Sequence, residues 1–352
     1  LFKIYLVFKF HFCSIIIIVK LKKEKELSVL ASNKNIKSGL GQSHAKIILI
    51  GEHSVVYGKP SIALPLSAVK TTAHITSLAT KQILIECRYF SGVLTAMPES
   101  MHGLQHLIKY ILEQKLLTTK LTAGIKIKIT SQLPEERGMG SSAAVAVAVT
   151  RALYDYFNQS LSQQELLKLV NIAEIDTHGN PSGLDAATSA SSQPIWMIKG
   201  KQLITIPIKL DAWLLICDSG IKGKTGEAVA SVKQRLHDYP EETKKLLTKL
   251  EKAALVARTQ LENNDVTGLG KTFSAAQQAL AALGVSSPRL DNLIKLSLHY
   301  GSLGSKLTGG GRGGCFICLM PTEAAAQKAA QLLKQAGAAD YWIQPLSSKE
   351  NL

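Results

Sequence analysis

Lys46, Glu174 and Asp185, with the adjacent hydroxyls of Ser141 and Ser142, are the residues whose types and spacing could do chemistry. Glu174 can act as a hard oxygen ligand for magnesium, and Asp185 as a base that takes a proton. The two serines follow Arg137-Gly138-Met139-Gly140 and open a stretch, 143–156, of good helix formers without Gly or Pro. A helix that starts there exposes unpaired N–H groups and the positive end of its dipole, a seat for an anion. Gly138 and Gly140 let main chain approach that anion, and Ser141 and Ser142 add hydroxyls where a phosphate and its metal ion would sit. The plain alternative is a Ser-capped helix after a glycine turn, because the stretch contains no lysine and is not the G-x-x-x-x-G-K-[ST] loop.

Gly179, Asn180, Pro181, Ser182 and Gly183 in succession make a tight loop with Glu174 before it and Asp185 after it. A surface loop with solvated acids is the alternative, and it weakens beside a phosphate seat, since a bound Mg-nucleotide needs such carboxylates. Lys46, Glu52 and His53 flank the apolar run 47–50, and the ends of buried strands are where rigid scaffolds present functional groups. Asp218 to Thr225 forms a polar loop suited to touching a small substrate. Five glycines fall within residues 309–314, where backbone must pass close to a ligand or another loop.

These groups need elements to hold them. Hydrophobic periodicity places strands at 47–50, 69–77, 82–87 and 125–129, and helices at 101–116, 143–156 and 163–177, the last capped by Ser162 with Glu165 three residues on. A hairpin is expected at 195–198 and 203–208, then a buried strand at 213–217. Residues 226–300 read as helical with breaks near 238–241, 263–265 and 284–288. A helix at 323–336 and an edge strand at 341–345 close the chain, and a domain boundary falls near Leu210.

Hydrophobic content of 46% and charged content of 19% are those of a globular protein. The formal net charge is +15, of which residues 1–42 supply +6 (eight Lys against Glu24 and Glu26) and the remainder +9. A moderately basic body suits anionic ligands such as nucleotides, whereas scattered lysines without an aromatic-interleaved stripe argue against nucleic acid. Five cysteines at irregular spacing argue for reduced thiols, and the Cys315/Cys318 pair lies in an apolar run that reads as core, not as a zinc site. Residues 1–42, whose interrupted apolar run 4–19 precedes its lysine cluster, are expected to be a dispensable or disordered extension without stable membrane attachment. The expected location is the cytoplasm.

In order, residues 46–60, 134–144, 178–185 and 306–314 resemble the motifs of the galactokinase, homoserine kinase, mevalonate kinase and phosphomevalonate kinase superfamily. The similarity is nearest to the mevalonate kinases and spans 43–345. Its most specific parts are Gly51-Glu52-His53-Ser54-Val55-Val56-Tyr57-Gly58 and His178-Gly179-Asn180-Pro181-Ser182-Gly183-Leu184-Asp185. The resemblance implies an α+β fold of two lobes: a mixed sheet with helices over 43–210, and a ferredoxin-like sandwich over 211–352, with the active site in the cleft between them. It implies ATP-dependent phosphorylation of the C5 hydroxyl of mevalonate in isoprenoid biosynthesis, with ATP and mevalonate as the small-molecule partners, a Mg2+ cofactor and a homodimer. It further implies Asp185 as base with Lys46 as partner, Ser142 and Glu174 as magnesium ligands, and Gly138, Met139, Gly140, Ser141 and Ser142 as the ATP phosphate seat. His53, Glu52 and Thr225 would lie at the substrate. Arg137, Met139 and Arg312 depart from some relatives. Another kinase of the superfamily and a non-catalytic nucleotide-binding sensor are the competing readings.

Overall fold

The computed structural model describes residues 37–116, 123–133, 137–179 and 181–347. The expectation for residues 1–36 lies outside the described residues, as do Pro134, Glu135, Glu136 and Asn180. β1 (Ser38–Ile50) and β2 (Pro60–Leu78) form a long antiparallel pair, joined by the turn that carries Glu52 and His53. β2 also pairs with β5 (Gly124–Ser131) and β6 (Ile195–Ile198), which makes it the spine of a seven-stranded sheet completed by β3 (Ile83–Cys87), β4 (Phe90–Val93) and β7 (Gln202–Thr205). β3 runs parallel to β5, so the sheet is mixed.

The alternation in β5 decides which face is covered. Ile125, Ile127 and Ile129 enter a core with residues of α1 (His102–Tyr110), α2 (Ser141–Tyr156) and α3 (Gln163–His178), such as Leu107, Val147 and Leu169. Lys126 and Lys128 face away and pair with Glu86. α2 is buried along most of its length, and its Ala and Val side chains are small enough to let a strand lie close against it. α3 begins as the sequence implies, with Ser162 Oγ accepting from the Glu165 N–H. A short helix, α4 (Leu184–Ser189), follows the loop that ends at Gly183.

The second sheet holds β8 (Lys209–Asp218), β9 (Gly304–Leu307), β10 (Cys315–Met320) and β11 (Asp340–Ser347), all antiparallel, in the order β11-β8-β10-β9. That is the ferredoxin-like strand order. Between β8 and β9 come α5 (Thr225–Asp238), α6 (Pro240–Glu262), α7 (Val266–Ala282) and α8 (Pro288–His299), broken where the sequence places the breaks, and α9 (Glu323–Gln335) links β10 to β11. One apolar core joins the two sheets, with Leu49 and Leu64 of the first in the same cluster as Leu215 and Phe316 of the second. Cys217, Cys315 and Cys318 are fully buried free thiols, the core placement expected of them.

Two expectations need correction. The first strand starts at Ser38, so residues 38–42, assigned to the extension, are part of the sheet and pair with 72–76. Glycine-rich text hid them, because glycine has low intrinsic strand preference. Here it is needed for contact: a Cβ on Gly39 would stand 2.5 Å from the Ala152 carbonyl of α2, and one on Gly41 2.0 Å from that of Ala148. Leu40 N donates to Asp155 Oδ2 (2.8 Å) and Ser43 Oγ to the Ala144 carbonyl (2.6 Å), which fixes β1 along the helix. The helix expected over 101–116 is α-helical only to Tyr110 and continues as a π-helical turn, Ile111–Leu116, that buries Ile111 and Leu112.

Gly41→Ala is therefore expected to force β1 off α2 and to lower the thermal midpoint by roughly 5 °C through overpacking. An unchanged melting curve would show that β1 does not lie this close to the helix.

Candidate active site

Lys46 lies at the centre of the site, near the start of the continuously buried half of β1. Its side chain is 3% exposed and its Nζ stands 3.0 Å from Asp185 Oδ1, whose side chain is 36% exposed. The ammonium is thus enclosed while the carboxylate it balances reaches the surface. Asp185 owes its place to α4, which Gly183 starts with a φ of 82°. The stem of Lys46 passes over Gly140, where a Cβ would meet its Cγ at 2.7 Å; at φ 72° that position is also left-handed, so glycine is required twice over. Lys46 N donates to the Met139 carbonyl at 2.9 Å. Met139 therefore contributes main chain to the loop, and its side chain is buried in the core.

α2 begins at Ser141 with Gly140 as its N-cap and no side chain capping it. Its first N–H groups are left for a ligand, and the dipole favours an anion there. Ser142 Oγ donates to Glu174 Oε1 at 2.7 Å, which ties the start of α2 to α3 and leaves the hydroxyl lone pairs for a cation. His178 Nε2 lies 3.4 Å from the same hydroxyl. Burial, then the nearby Asp185 charge, holds the Glu174 carboxyl above its usual range. A cation beside it would relieve both, and a hydroxyl and a carboxylate are the hard oxygen donors magnesium takes. Among the described residues no three His, Cys, Asp or Glu side chains gather as a metal cluster. Magnesium at Ser142 and Glu174 would draw its other ligands from phosphate and water, as that ion commonly does.

The remaining expected residues are placed differently. Glu52 is fully buried and paired with Lys306 of β9, which also donates to the Leu307 carbonyl at 2.7 Å. The turn after β1 folds it inward against a lysine 254 residues away, where the sequence expectation was a contact at the substrate. Burial pushes the Glu52 carboxyl up and the Lys306 amine down, and each is restrained by the other's charge. His53, with φ 59°, turns its ring to the glycine-rich loop 308–314, the third loop of the site after 138–142 and 179–183, where Nε2 donates to the Gly310 carbonyl at 3.0 Å. It is 5% exposed, and burial first of all lowers its pKa to about 4, so it is a neutral hydrogen-bonding group at neutral pH. Thr225 opens α5 in an exposed position on the other side of Gly310, where a Cβ would meet its Oγ1 at 2.6 Å.

Lys306 and Thr308 were missed by sequence reasoning. Thr308 Oγ1 accepts from Ile48 N (3.0 Å) and donates to Ile48 O (2.8 Å), closing the third loop onto β1. The available signal was a lysine and a threonine on either side of Leu307, just ahead of the glycine run, but only the fold brings Glu52 to the one and Ile48 to the other. Gly138 touches the same loop, since a Cβ on it would lie 3.4 Å from the Thr308 carbonyl. Arg312, a departure in the sequence, is held at φ 59° by Arg312 N donating to the Val285 carbonyl at 2.7 Å. A cavity of about 480 Å³, lined by residues including Lys70, Thr72, Thr130 and Gln132, adjoins the end of β5.

Comparison with known proteins shows what the chain is similar to. Residues 104–193 match the GHMP kinases N terminal domain and 257–339 the GHMP kinases C terminal family. The mevalonate kinase of Pyrococcus horikoshii is 32% identical over 311 residues, covering 81% of this chain and 90% of the relative. That of Thermococcus gammatolerans is 33% identical over 303 residues, covering 80% and 89%. Among solved structures, the mevalonate kinase of methicillin-resistant Staphylococcus aureus is 31% identical with a TM-score of 0.68, covering 89% of this chain and 100% of that one. L. major mevalonate kinase in complex with R-mevalonate has a TM-score of 0.77 at 24% identity, covering 90% and 99%, a likeness of fold.

Two outcomes follow from the buried charges. Lys306→Met alone should strand Glu52 and cost about 3–5 kcal/mol of stability in urea unfolding, whereas Glu52→Met with Lys306→Met should recover most of it. A double variant as unstable as the single one would show that the cost is not the stranded charge. For His53 the folded pKa of about 4 lies below the ordinary 6.5, so the unfolded chain takes up the proton first. Stability is then full above pH 6.5 and falls by about 3 kcal/mol as pH drops to 4. Unfolding curves across that window should show a shallower decline in His53→Asn, and identical declines would contradict the burial.

Proposed function

The chain belongs to the mevalonate kinase family within the GHMP kinases, and we propose that Lys46, Ser142, Glu174 and Asp185 form its reaction centre. It phosphorylates mevalonate at the expense of ATP, a step of isoprenoid biosynthesis. The observation that carries the site assignment is the 3.0 Å contact between an enclosed Lys46 and a surface-reaching Asp185, beside an uncapped helix start.

Phosphoryl transfer from ATP to an alcohol passes through a loose transition state, so catalysis is mostly positioning and charge neutralisation. In this reading the N–H groups at the start of α2 and the 138–142 main chain hold the nucleotide phosphates. Asp185 accepts the proton of the mevalonate C5 hydroxyl, and Lys46 favours the developing alkoxide and balances the carboxylate. Ser142 and Glu174 would hold Mg2+, which would supply neutralisation of phosphate charge. Neutral His53 keeps the third loop in place through Gly310, and Thr225 presents a hydroxyl beside that loop. Mevalonate carries a carboxylate, and the basic body of the chain suits it.

The lobe boundary near Leu210 belongs to the same proposal and is supported by the change of sheet between β7 and β8. So do homodimer formation, a cytoplasmic location and the lack of stable membrane attachment. Among the described residues no helix is long and apolar enough to cross a membrane.

The test is ADP release from the full chain with Mg-ATP and mevalonate, phosphomevalonate, galactose or homoserine supplied separately. Turnover is expected with mevalonate. Asp185→Asn should lower kcat by about 10²–10⁴-fold while nucleotide affinity is kept. Near-normal turnover of that variant would remove Asp185 from the role of base, and turnover with another acceptor alone would reassign the substrate.

A further inference from the structure

Arg137 enters the phosphate loop and has no part in the roles assigned above. Its Nε donates to Asp218 Oδ2 at 2.8 Å, with side chains 16% and 6% exposed. Asp218 ends β8, and its other oxygen, Oδ1, accepts from Gly220 N at 2.8 Å, turning the chain into the loop that leads to Thr225. The glycine-rich third loop meets both partners. The Arg137 carbonyl accepts from Cys315 N (3.2 Å), Ser219 N donates to the Gly314 carbonyl (3.0 Å), and Gly314 N donates to the Ile221 carbonyl (2.7 Å). A Cβ on Gly314, where φ is 73°, would stand 2.9 Å from the Arg137 carbonyl. Three loops that approach the site from both sheets thus converge on one ion pair.

We propose that Arg137 is a positioning residue for the phosphoryl transfer: through Asp218 it fixes the phosphate seat against the loop that leads to Thr225, so that nucleotide and acceptor strengthen each other's binding. The proposal rests on the reading that 138–142 seats the nucleotide phosphates. A guanidinium fixes direction as well as charge, since its N–H groups are set in a rigid fork. The Asp218 carboxylate is shared, one oxygen on the phosphate loop and one on the Gly220 turn, so a displacement of either loop is passed to the other. A ligand that orders the phosphate loop then lowers the ordering cost for the acceptor, and the effect is reciprocal.

The test measures acceptor affinity on the full chain by calorimetry, with and without a non-hydrolysable ATP analogue, using mevalonate as the probe. Arg137→Ala, Arg137→Lys, Asp218→Asn and the Arg137→Ala/Asp218→Asn pair are compared, with melting curves to verify folding. Asp218→Asn removes the charge and keeps an oxygen for Gly220, so the question stays open to test if Arg137→Ala fails to fold. The analogue is expected to tighten acceptor binding in the unaltered chain, and Arg137→Ala and Asp218→Asn to reduce that tightening by about tenfold. Arg137→Lys should restore part of it, and the double variant should be no worse than the poorer single one. Equal tightening with and without Arg137, no tightening in the unaltered chain, or additive single effects would overturn the proposal. Ser142→Ala and Gly140→Ala address the premise separately: if both leave the affinity for the ATP analogue unchanged, the phosphate seat itself is misassigned.

Discussion

The site is assembled by a charged pair that water does not reach. Glu52 follows β1 and Lys306 belongs to β9, and both are fully buried. Burying either alone would be strongly unfavourable, so the two strand ends must meet before either can be enclosed. Their pairing draws in what lies next to them in sequence: Thr308 onto Ile48, and Gly310 onto His53. With the third loop so held, Gly138 of the phosphate loop has a surface to rest against. The loops around the site are thus held together by the pairing of two buried strand ends.

Charge within the site is arranged by depth. Lys46 is enclosed and its partner Asp185 is open, while Glu174 is buried beside a hydroxyl and near a second carboxylate. Two acids close together, with one cation already committed to Asp185, leave a site that gains from another cation. That is the electrostatic demand a magnesium-bound polyphosphate meets, and it is why the metal and nucleotide belong to one reading. His53 shows the opposite case, a group kept neutral by burial so that it can donate a hydrogen bond without adding charge.

Glycine serves close approach more than flexibility in this molecule. Gly39 and Gly41 bring β1 against α2, and Gly140 makes room for the stem of Lys46. The first two fix the distance from strand to helix, and Gly140 lets the Lys46 side chain pass over the start of that helix. Both contacts lie on the line from β1 to the anion seat, so the position of Lys46 relative to the first N–H groups of α2 is set by atoms that are missing.

Local pattern determined much of this protein. The alternation in β5, the Ser162 cap of α3, the four helices between β8 and β9 and the uncapped start of α2 are all consequences of neighbours in sequence, through periodicity, capping and the steric demands of Gly and Pro. Candidate residues for phosphoryl transfer could also be picked out, because Ser142 and Asp185 stand at helix starts that glycines mark, Lys46 heads an apolar run and Glu174 precedes a tight loop. What only the tertiary structure decided were the partners. Only the packed chain sets Lys306 beside Glu52, residues 38–42 looked like an extension until α2 lay against them, and Arg137 looked like a departure until Asp218 met it. Each depends on residues far apart in the chain, and burial, which turns a free charge into a paired one and a glycine into a contact, is a property of the packed molecule and not of the local sequence.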